Sequence, residues 1–222
     1  LREEERQADK KAGFFADFKE GIDYVMKIPG LPIFLFLMLS TSLCMRPFRE
    51  LFAGISEVTF GQGADGLAIL TGATGIGAVV GALVIANLRN VKGLVRLIFF
   101  FFVIDVIIQV AFAFSNFFIF SIICAAGMGF AVTAAGIAGQ VLVQSAIHDE
   151  MRGRVMSLWG IIMRGGVPTG AVILGYLSSL LGFQQGLLIV TGVFVMALLF
   201  VIPRSGPLVQ RMESSPSAAI LP

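Results

Sequence analysis

Long apolar runs without a charged residue alternate with short polar segments between residues 31 and 203. The runs at 31–45 and 66–88 each suit one helix, because a bilayer core about 30 Å thick is crossed by roughly 20 apolar helical residues. The runs at 106–147 and 165–203 are too long for one crossing. Each of these two long runs is therefore predicted to fold back on itself.

Turn-forming residues mark where the two long runs reverse. Ser115 and Asn116 interrupt a series of aromatic residues, and the segment 181–186 contains two glycines and two glutamines. Both compositions are typical of turns. The sequence thus predicts six spans, at about 30–58, 66–88, 94–114, 117–146, 154–181 and 185–202.

The spans are predicted to be helices, because their apolar residues are continuous, whereas the strands of a membrane barrel alternate between apolar and polar residues. A helix also satisfies its backbone hydrogen bonds within the segment, as lipid requires. The predicted fold class is an all-α integral membrane protein, a six-transmembrane-helix bundle embedded in a lipid bilayer. The composition agrees, since 57% of the residues are hydrophobic and 14% are charged. The net charge of +2 is too small to indicate a nucleic-acid partner.

Basic residues in the loops predict the orientation, because loops that stay in the cytoplasm are enriched in Lys and Arg. The reversals at 115–116 and 182–186 contain no basic residue. The basic residues fall in the N-terminal stretch and in the alternate loops, and both termini are therefore expected to be cytoplasmic. These residues are Lys10, Lys11, Lys19, Lys27, Arg89, Lys92, Arg96, Arg152, Arg154, Arg204 and Arg211.

The two ends of the chain differ in composition from the spans. Residues 1–29 predict a charged cytoplasmic connector followed by an interfacial amphipathic helix, which Pro29 and Gly30 end. Residues 204–222 contain several Pro and Ser without periodicity, and we expect a disordered cytoplasmic tail. The chain starts at Leu1, and no signal peptide precedes the first span. These features indicate a piece of a longer protein.

Polar side chains at membrane depth are the candidate functional residues, because placing them in lipid is costly. Arg164 follows Arg154 by ten residues, which puts it about 15 Å deep at the rise of an α-helix. Arg46 lies in the outer part of the first span. Gln140 and Gln144 share one face of the fourth span. We hypothesise that Arg46, Gln140, Gln144 and Arg164 line a cavity that attracts an anionic or polar substrate.

Two acidic residues are candidates for gaining and losing a proton. Asp105 is expected near the middle of the third span, and Glu50 lies near the outer end of the first. The alternative is that the charges are neutralised within the bundle, for example Arg164 by Asp105 or Arg49 by the neighbourhood of Glu50. In that case the polar residues would hold helices together without binding a substrate.

Glycine and proline positions indicate how the helices pack. Small residues let helix backbones approach closely in lipid, and they concentrate in the second and fourth spans. We expect the first, second, fourth and fifth spans to form interior contacts that move, and the third and sixth to face lipid. Pro47 and Pro168 are predicted helix kinks. Ordinary packing without motion and static bends are the alternatives.

The loop before the fifth span is a candidate gating segment on the cytoplasmic side. Asp149 and Glu150 favour the start of a helix, but Arg152 and Arg154 in its first turn oppose the helix dipole. The two arginines are therefore expected to pair with acidic groups or with exposed carbonyls.

No metal or cofactor site is predicted. Cys44 and Cys124 lie inside spans, where buried thiols act as small apolar residues. The lone His148 has no neighbours at the spacing of metal ligands. A membrane-embedded enzyme would need such a cluster or an activated nucleophile, and we expect the chain not to be an enzyme.

Several motifs resemble one superfamily of membrane proteins. The run A-I-H-D-E-M-R-G-R-V-M-S-L-W-G, followed by M-R-G-G-V-P-T-G-A, is similar to the connection between the tenth and eleventh helices of major facilitator superfamily transporters. Within that superfamily, the motifs resemble bacterial drug and siderophore exporters of the enterobactin-exporter type. R-P-F-R-E-L-F resembles their seventh helix, and G-A-D-G-L-A-I-L-T-G-A-T-G-I-G-A-V-V-G-A resembles their eighth. The likeness covers about 12–203.

The resemblance implies the C-terminal six-helix half of a twelve-helix transporter in the bacterial inner membrane. Its partner would be an N-terminal six-helix half, in the same chain or a separate one, and the substrate path would lie between two halves that rock. It also implies proton-coupled efflux, by antiport, of a drug-like or siderophore-like small molecule. The alternatives are a non-transporting six-helix scaffold or truncated product and, less favoured, a membrane-embedded enzyme.

Overall fold

Helices that can cross a membrane make up most of the computed structural model, which describes residues 18–88 and 93–206. We number them spans 1 to 6, and no strand occurs in the described ranges. The predicted all-α six-helix membrane bundle is confirmed. The spans are Leu31–Val58, Gly63–Ala86, Leu94–Ala113, Phe118–Ala146, Asp149–Leu181 and Phe183–Arg204.

Parts of the sequence predictions lie outside the described residues. They concern the connector at 1–17, the basic loop at 89–92 and most of the tail, at 207–222. Residues 18–26, which we call the surface helix, are helical and precede span 1.

Span 1 changes its hydrogen-bonding pattern midway. An α-helix at Leu31–Ser40 is followed by a π-helix at Thr41–Met45, a 3₁₀-helix at Pro47–Leu51 and an α-helix at Phe52–Val58. Pro47 cannot donate a backbone hydrogen bond. The N–H of Arg46, just before it, donates to the Thr41 carbonyl five residues back, at 3.1 Å. Arg46 therefore lies at the junction of two helix types, an arrangement often found at functional sites.

Span 5 begins at Asp149 rather than near residue 154. Two acidic residues in its first turn favour the positive end of the helix, which explains the earlier start. Around Pro168 the span remains α-helical without local unwinding. A bend there stays a prediction.

Glycines allow two pairs of spans to approach backbone to backbone. A Cβ at Gly77 of span 2 would collide with the Ala126 carbonyl of span 4, and one at Gly129 would collide with Thr74. Between spans 1 and 5, a Cβ at Gly170 would collide with the Leu43 carbonyl. Contacts this close are available only to residues without a side chain, as expected for packing in lipid.

The expectation that spans 3 and 6 simply face lipid is wrong for one face of each. Asp105 and Gln109 of span 3 are each 1% exposed, and Thr191 of span 6 is 2% exposed. The Thr191 hydroxyl lies 3.1 Å from Gln109 Oε1 and 2.7 Å from the Leu187 carbonyl oxygen. Because the two polar residues of span 3 stand one helical turn apart, they turn one face inward.

Candidate substrate-binding cavity

A cavity of about 470 Å³ lies among spans 1, 2, 4 and 5. Spans 3 and 6 contribute none of its described lining residues. These are the four spans whose glycines and prolines indicated interior contacts. The cavity is therefore bordered by the two helix pairs, spans 2 and 4 and spans 1 and 5, that approach backbone to backbone.

Three of the four residues proposed for a cavity line it together. Arg46 of span 1, Gln140 of span 4 and Arg164 of span 5 all contribute to its wall. Gln144 is half-buried and does not line the cavity. It shares the face of Gln140 but stands one turn further along span 4, beyond the cavity.

Arg46 reaches across the bundle from span 1 to span 4. A Cβ built on Gly136 would lie 2.6 Å from Arg46 Nη2, so the guanidinium occupies space that only glycine leaves open. Arg46 Nε is buried and has no hydrogen-bond partner among the described residues. A buried donor without a partner destabilises the protein until a ligand or water accepts its hydrogen bond.

Arg49 is a third arginine in the cavity wall. The sequence suggested that it could be neutralised by Glu50. Within the described part of the chain, no ion pair joins Arg49 to Glu50 or Arg164 to Asp105. The neutralised alternative is therefore not what the structure shows at these two places, and both arginines present their charge at the cavity.

The remaining wall contains side chains that sequence reasoning did not select. Trp159 of span 5 is 6% exposed and contributes a ring. The hydroxyl residues Thr74 and Thr133 and three methionines also line the cavity, namely Met128, Met156 and Met163. Apolar residues in a span carry no sequence signal that separates a cavity wall from a lipid or core position.

The two proton-coupling candidates are placed very differently. Asp105 is 1% exposed, and its Oδ2 has no hydrogen-bond partner among the described residues. It lies within electrostatic range of Arg46, although it does not line the cavity. Glu50 is exposed on the surface of span 1. Only Asp105 is therefore both buried and close to a cavity arginine.

An ion pair and a hydrogen bond join the candidate gating segment to the surface helix. Arg154 Nη1 lies 2.8 Å from Glu20 Oε1, and the His148 N–H donates to the Tyr24 hydroxyl at 3.1 Å. Arg152 pairs with Asp149 at 3.2 Å, while Glu150 is exposed. Both arginines, which lie in the first turns of span 5 rather than in a loop, thus have acidic partners at the surface.

Titratable side chains do not gather into a metal site within residues 18–88 and 93–206. Cys44 and Cys124 are buried free thiols on different spans.

Sequence comparison gives a family for the chain. The profile of a family described as transmembrane secretion effector matches residues 32–221. Searches of curated proteins and of solved structures returned no significant match. The family match covers all six spans except the first residue of span 1, and it agrees with the major facilitator motifs and the multi-pass helical bundle. The chain therefore belongs to the transmembrane secretion effector family of major facilitator superfamily transporters.

Proposed function

We propose that the chain is the C-terminal six-helix half of a twelve-helix efflux transporter in the bacterial inner membrane. It exports a drug-like or siderophore-like small molecule by alternating access. The observation that carries this proposal is the arginine-lined cavity among spans 1, 2, 4 and 5. In transporters built from two helical halves, the substrate path lies at the interface of the halves near the membrane midplane.

Exposed polar side chains in the cavity wall support a second half that covers this side of the cavity. Arg164 and Gln140 line the cavity and are also exposed. Arg164 lies well inside span 5, and an arginine facing lipid at that depth is unfavourable. A second six-helix half covering this side would enclose both side chains in an aqueous path.

The irregular helix of span 1 supports a movement of this span during transport. Its π- and 3₁₀-helical segments replace regular α-helical hydrogen bonds next to Arg46. At the glycine contacts between spans 1 and 5, only small groups of span 1 meet span 5, namely Ser42 at Gly166 and the Leu43 carbonyl and the Pro47 ring at Gly170. Small shifts of span 1 therefore change the position of a cavity arginine without repacking large side chains.

Proton coupling is assigned to Asp105. The carboxyl is buried, has a free oxygen and acts electrostatically on Arg46. Binding or release of a proton changes the charge that Arg46 senses, and so changes the cavity. The proposal includes cytoplasmic termini, because the basic residues of the sequence fall in the N-terminal stretch and in alternate loops, as expected of segments that stay in the cytoplasm.

Efflux from cells tests the proposal. The full-length protein is expressed in bacterial cells, and accumulation of a panel of fluorescent drugs and catecholate siderophores is measured with and without a proton uncoupler. We expect lower accumulation than in vector-only cells, and we expect the uncoupler to abolish this difference. The Asp105→Asn variant should accumulate compounds as vector-only cells do, because the carboxyl can no longer exchange a proton.

Glu50→Gln is the matched control, since Glu50 is exposed and should not couple transport. Efflux that an uncoupler leaves unchanged would contradict proton coupling. Equal accumulation of the whole panel in expressing and vector-only cells would contradict efflux itself.

A further inference from the structure

We infer that the substrate is an amphipathic organic anion, with its acidic group held by Arg46, Arg49 and Arg164 and an aromatic or apolar body placed on Trp159. This inference rests on the proposal that the cavity holds the exported molecule. It narrows the proposed substrate from a drug-like or siderophore-like small molecule of any charge to an anion with an apolar body.

The cavity wall is positively charged. Three of its described lining residues are arginines, and none is Asp or Glu. Arginine stays protonated in proteins. Like charges around one small volume repel each other, more strongly at low dielectric than in water. An anion in the cavity removes this repulsion, whereas a cation increases it.

Asp105 does not neutralise the cavity. It lies outside the cavity wall and interacts electrostatically with Arg46. A single carboxylate balances at most one positive charge. Even with Asp105 ionised, the cavity keeps an excess of positive charge from Arg49 and Arg164.

The donors of the arginines suit an oxyanion. A guanidinium presents its N–H groups in a planar fork that matches a carboxylate or sulfonate. Arg46 Nε is buried without a partner, and Arg164 has no acidic partner among the described residues. These donors are available to a ligand rather than committed to the protein.

The apolar side chains of the rest of the wall favour an organic anion over a small inorganic one. The Trp159 ring offers a flat apolar surface, and Met128, Met156 and Met163 offer flexible thioethers that adapt to varied shapes. A cavity of about 470 Å³ is within the range that holds a drug-sized molecule. An aromatic body with one acidic group fills both parts of the site.

Trp159 also provides the measurement, because it is the single tryptophan of the chain. The 222-residue chain is reconstituted in lipid nanodiscs, and energy transfer from Trp159 to a dansyl group is titrated. The probes share one aromatic body and differ in charge: dansylglycine is an anion, dansylglycinamide is neutral and dansylethylenediamine is a cation. We expect saturable binding of dansylglycine about tenfold tighter than that of the amide, and weaker binding of the cation.

Charge-removing variants test the assignment to the arginines. Arg46→Gln and Arg164→Gln should each weaken dansylglycine binding about tenfold, and change dansylglycinamide binding by less than about twofold. Arg204→Gln is the matched control and should leave all three affinities unchanged. Arg204 stacks on Phe200 at 4.0 Å at the end of span 6, away from the cavity.

Two results would overturn the inference. One is binding of the amide or the cation as tightly as dansylglycine. The other is equal weakening of all three probes by the arginine variants, which would indicate a structural role. Because binding is measured without transport, the substrate class and the proposed efflux function can each be contradicted without the other. Anion binding without cellular efflux contradicts only the proposed function, and efflux of cationic but not anionic aromatic compounds contradicts only the substrate class.

Discussion

Replacing Arg164 with alanine should lower efflux by the full-length transporter roughly 10- to 100-fold at low substrate concentration. Arg164 lines the cavity and has no acidic partner in the described part of the chain, so its charge is available to the substrate. Arg46→Ala should have a similar effect, because the Arg46 guanidinium fills the space beside Gly136 in the same cavity. The measurement is the initial rate of efflux from preloaded cells at matched protein levels.

Arg204→Ala removes the same charge outside the cavity and should retain the native efflux rate. If Arg164→Ala and Arg46→Ala both export compounds at the rate of Arg204→Ala, the assignment of the cavity as the substrate path is wrong.

Replacing Gly77 with alanine should destabilise the bundle by about 1–3 kcal/mol, and so lower the thermal midpoint by roughly 5 °C. The new Cβ would meet the Ala126 carbonyl of span 4, and a backbone atom cannot move aside as a flexible side chain can. Spans 2 and 4 would have to separate. The midpoint is measured on the purified chain in detergent.

Gly75→Ala is the matched control, because it lies on the same helix and its Cβ would point into open space. Both variants gain the same helix propensity from alanine, so the difference between their midpoints isolates the contact with span 4. Equal midpoints for the two variants would show that the close approach at Gly77 does not exist.

The six spans were predictable because lipid makes the sequence signal strong. A run such as 66–88 has no charge, and a stretch such as 106–147 cannot cross once, so their lengths alone determine the crossings. The start of span 5 was less predictable. Asp149 and Glu150 extend the helix beyond the membrane, where hydropathy gives no information.

The charged part of the cavity was also accessible from the sequence. Arg46, Gln140 and Arg164 are polar residues at membrane depth, and such residues turn toward the bundle interior or an aqueous path. Because these three residues lie within the membrane and turn toward the interior, the sequence also indicates that they lie near one another. The sequence could not separate Gln140 from Gln144, because one helical turn decides which of two residues on the same face reaches the cavity.

Other features depend on contacts between distant segments. The π-helical segment of span 1 forms against span 5, where Gly166 admits Ser42 and Gly170 admits the Leu43 carbonyl. Asp105 is buried because span 3 packs against spans 4 and 6. The apolar composition of span 3 gives no indication of this packing. Periodicity within one span does not contain this information.

The central claim is that the chain crosses the membrane six times, with its basic loops in the cytoplasm. Single cysteines are introduced by Lys92→Cys and Gln184→Cys after Cys44 and Cys124 are replaced by alanine, and intact bacterial cells are treated with a membrane-impermeant maleimide. The account predicts that the cysteine at 184 reacts in intact cells and that the cysteine at 92 reacts only after the membrane is permeabilised. Labelling of both positions in intact cells, or of neither, would contradict it.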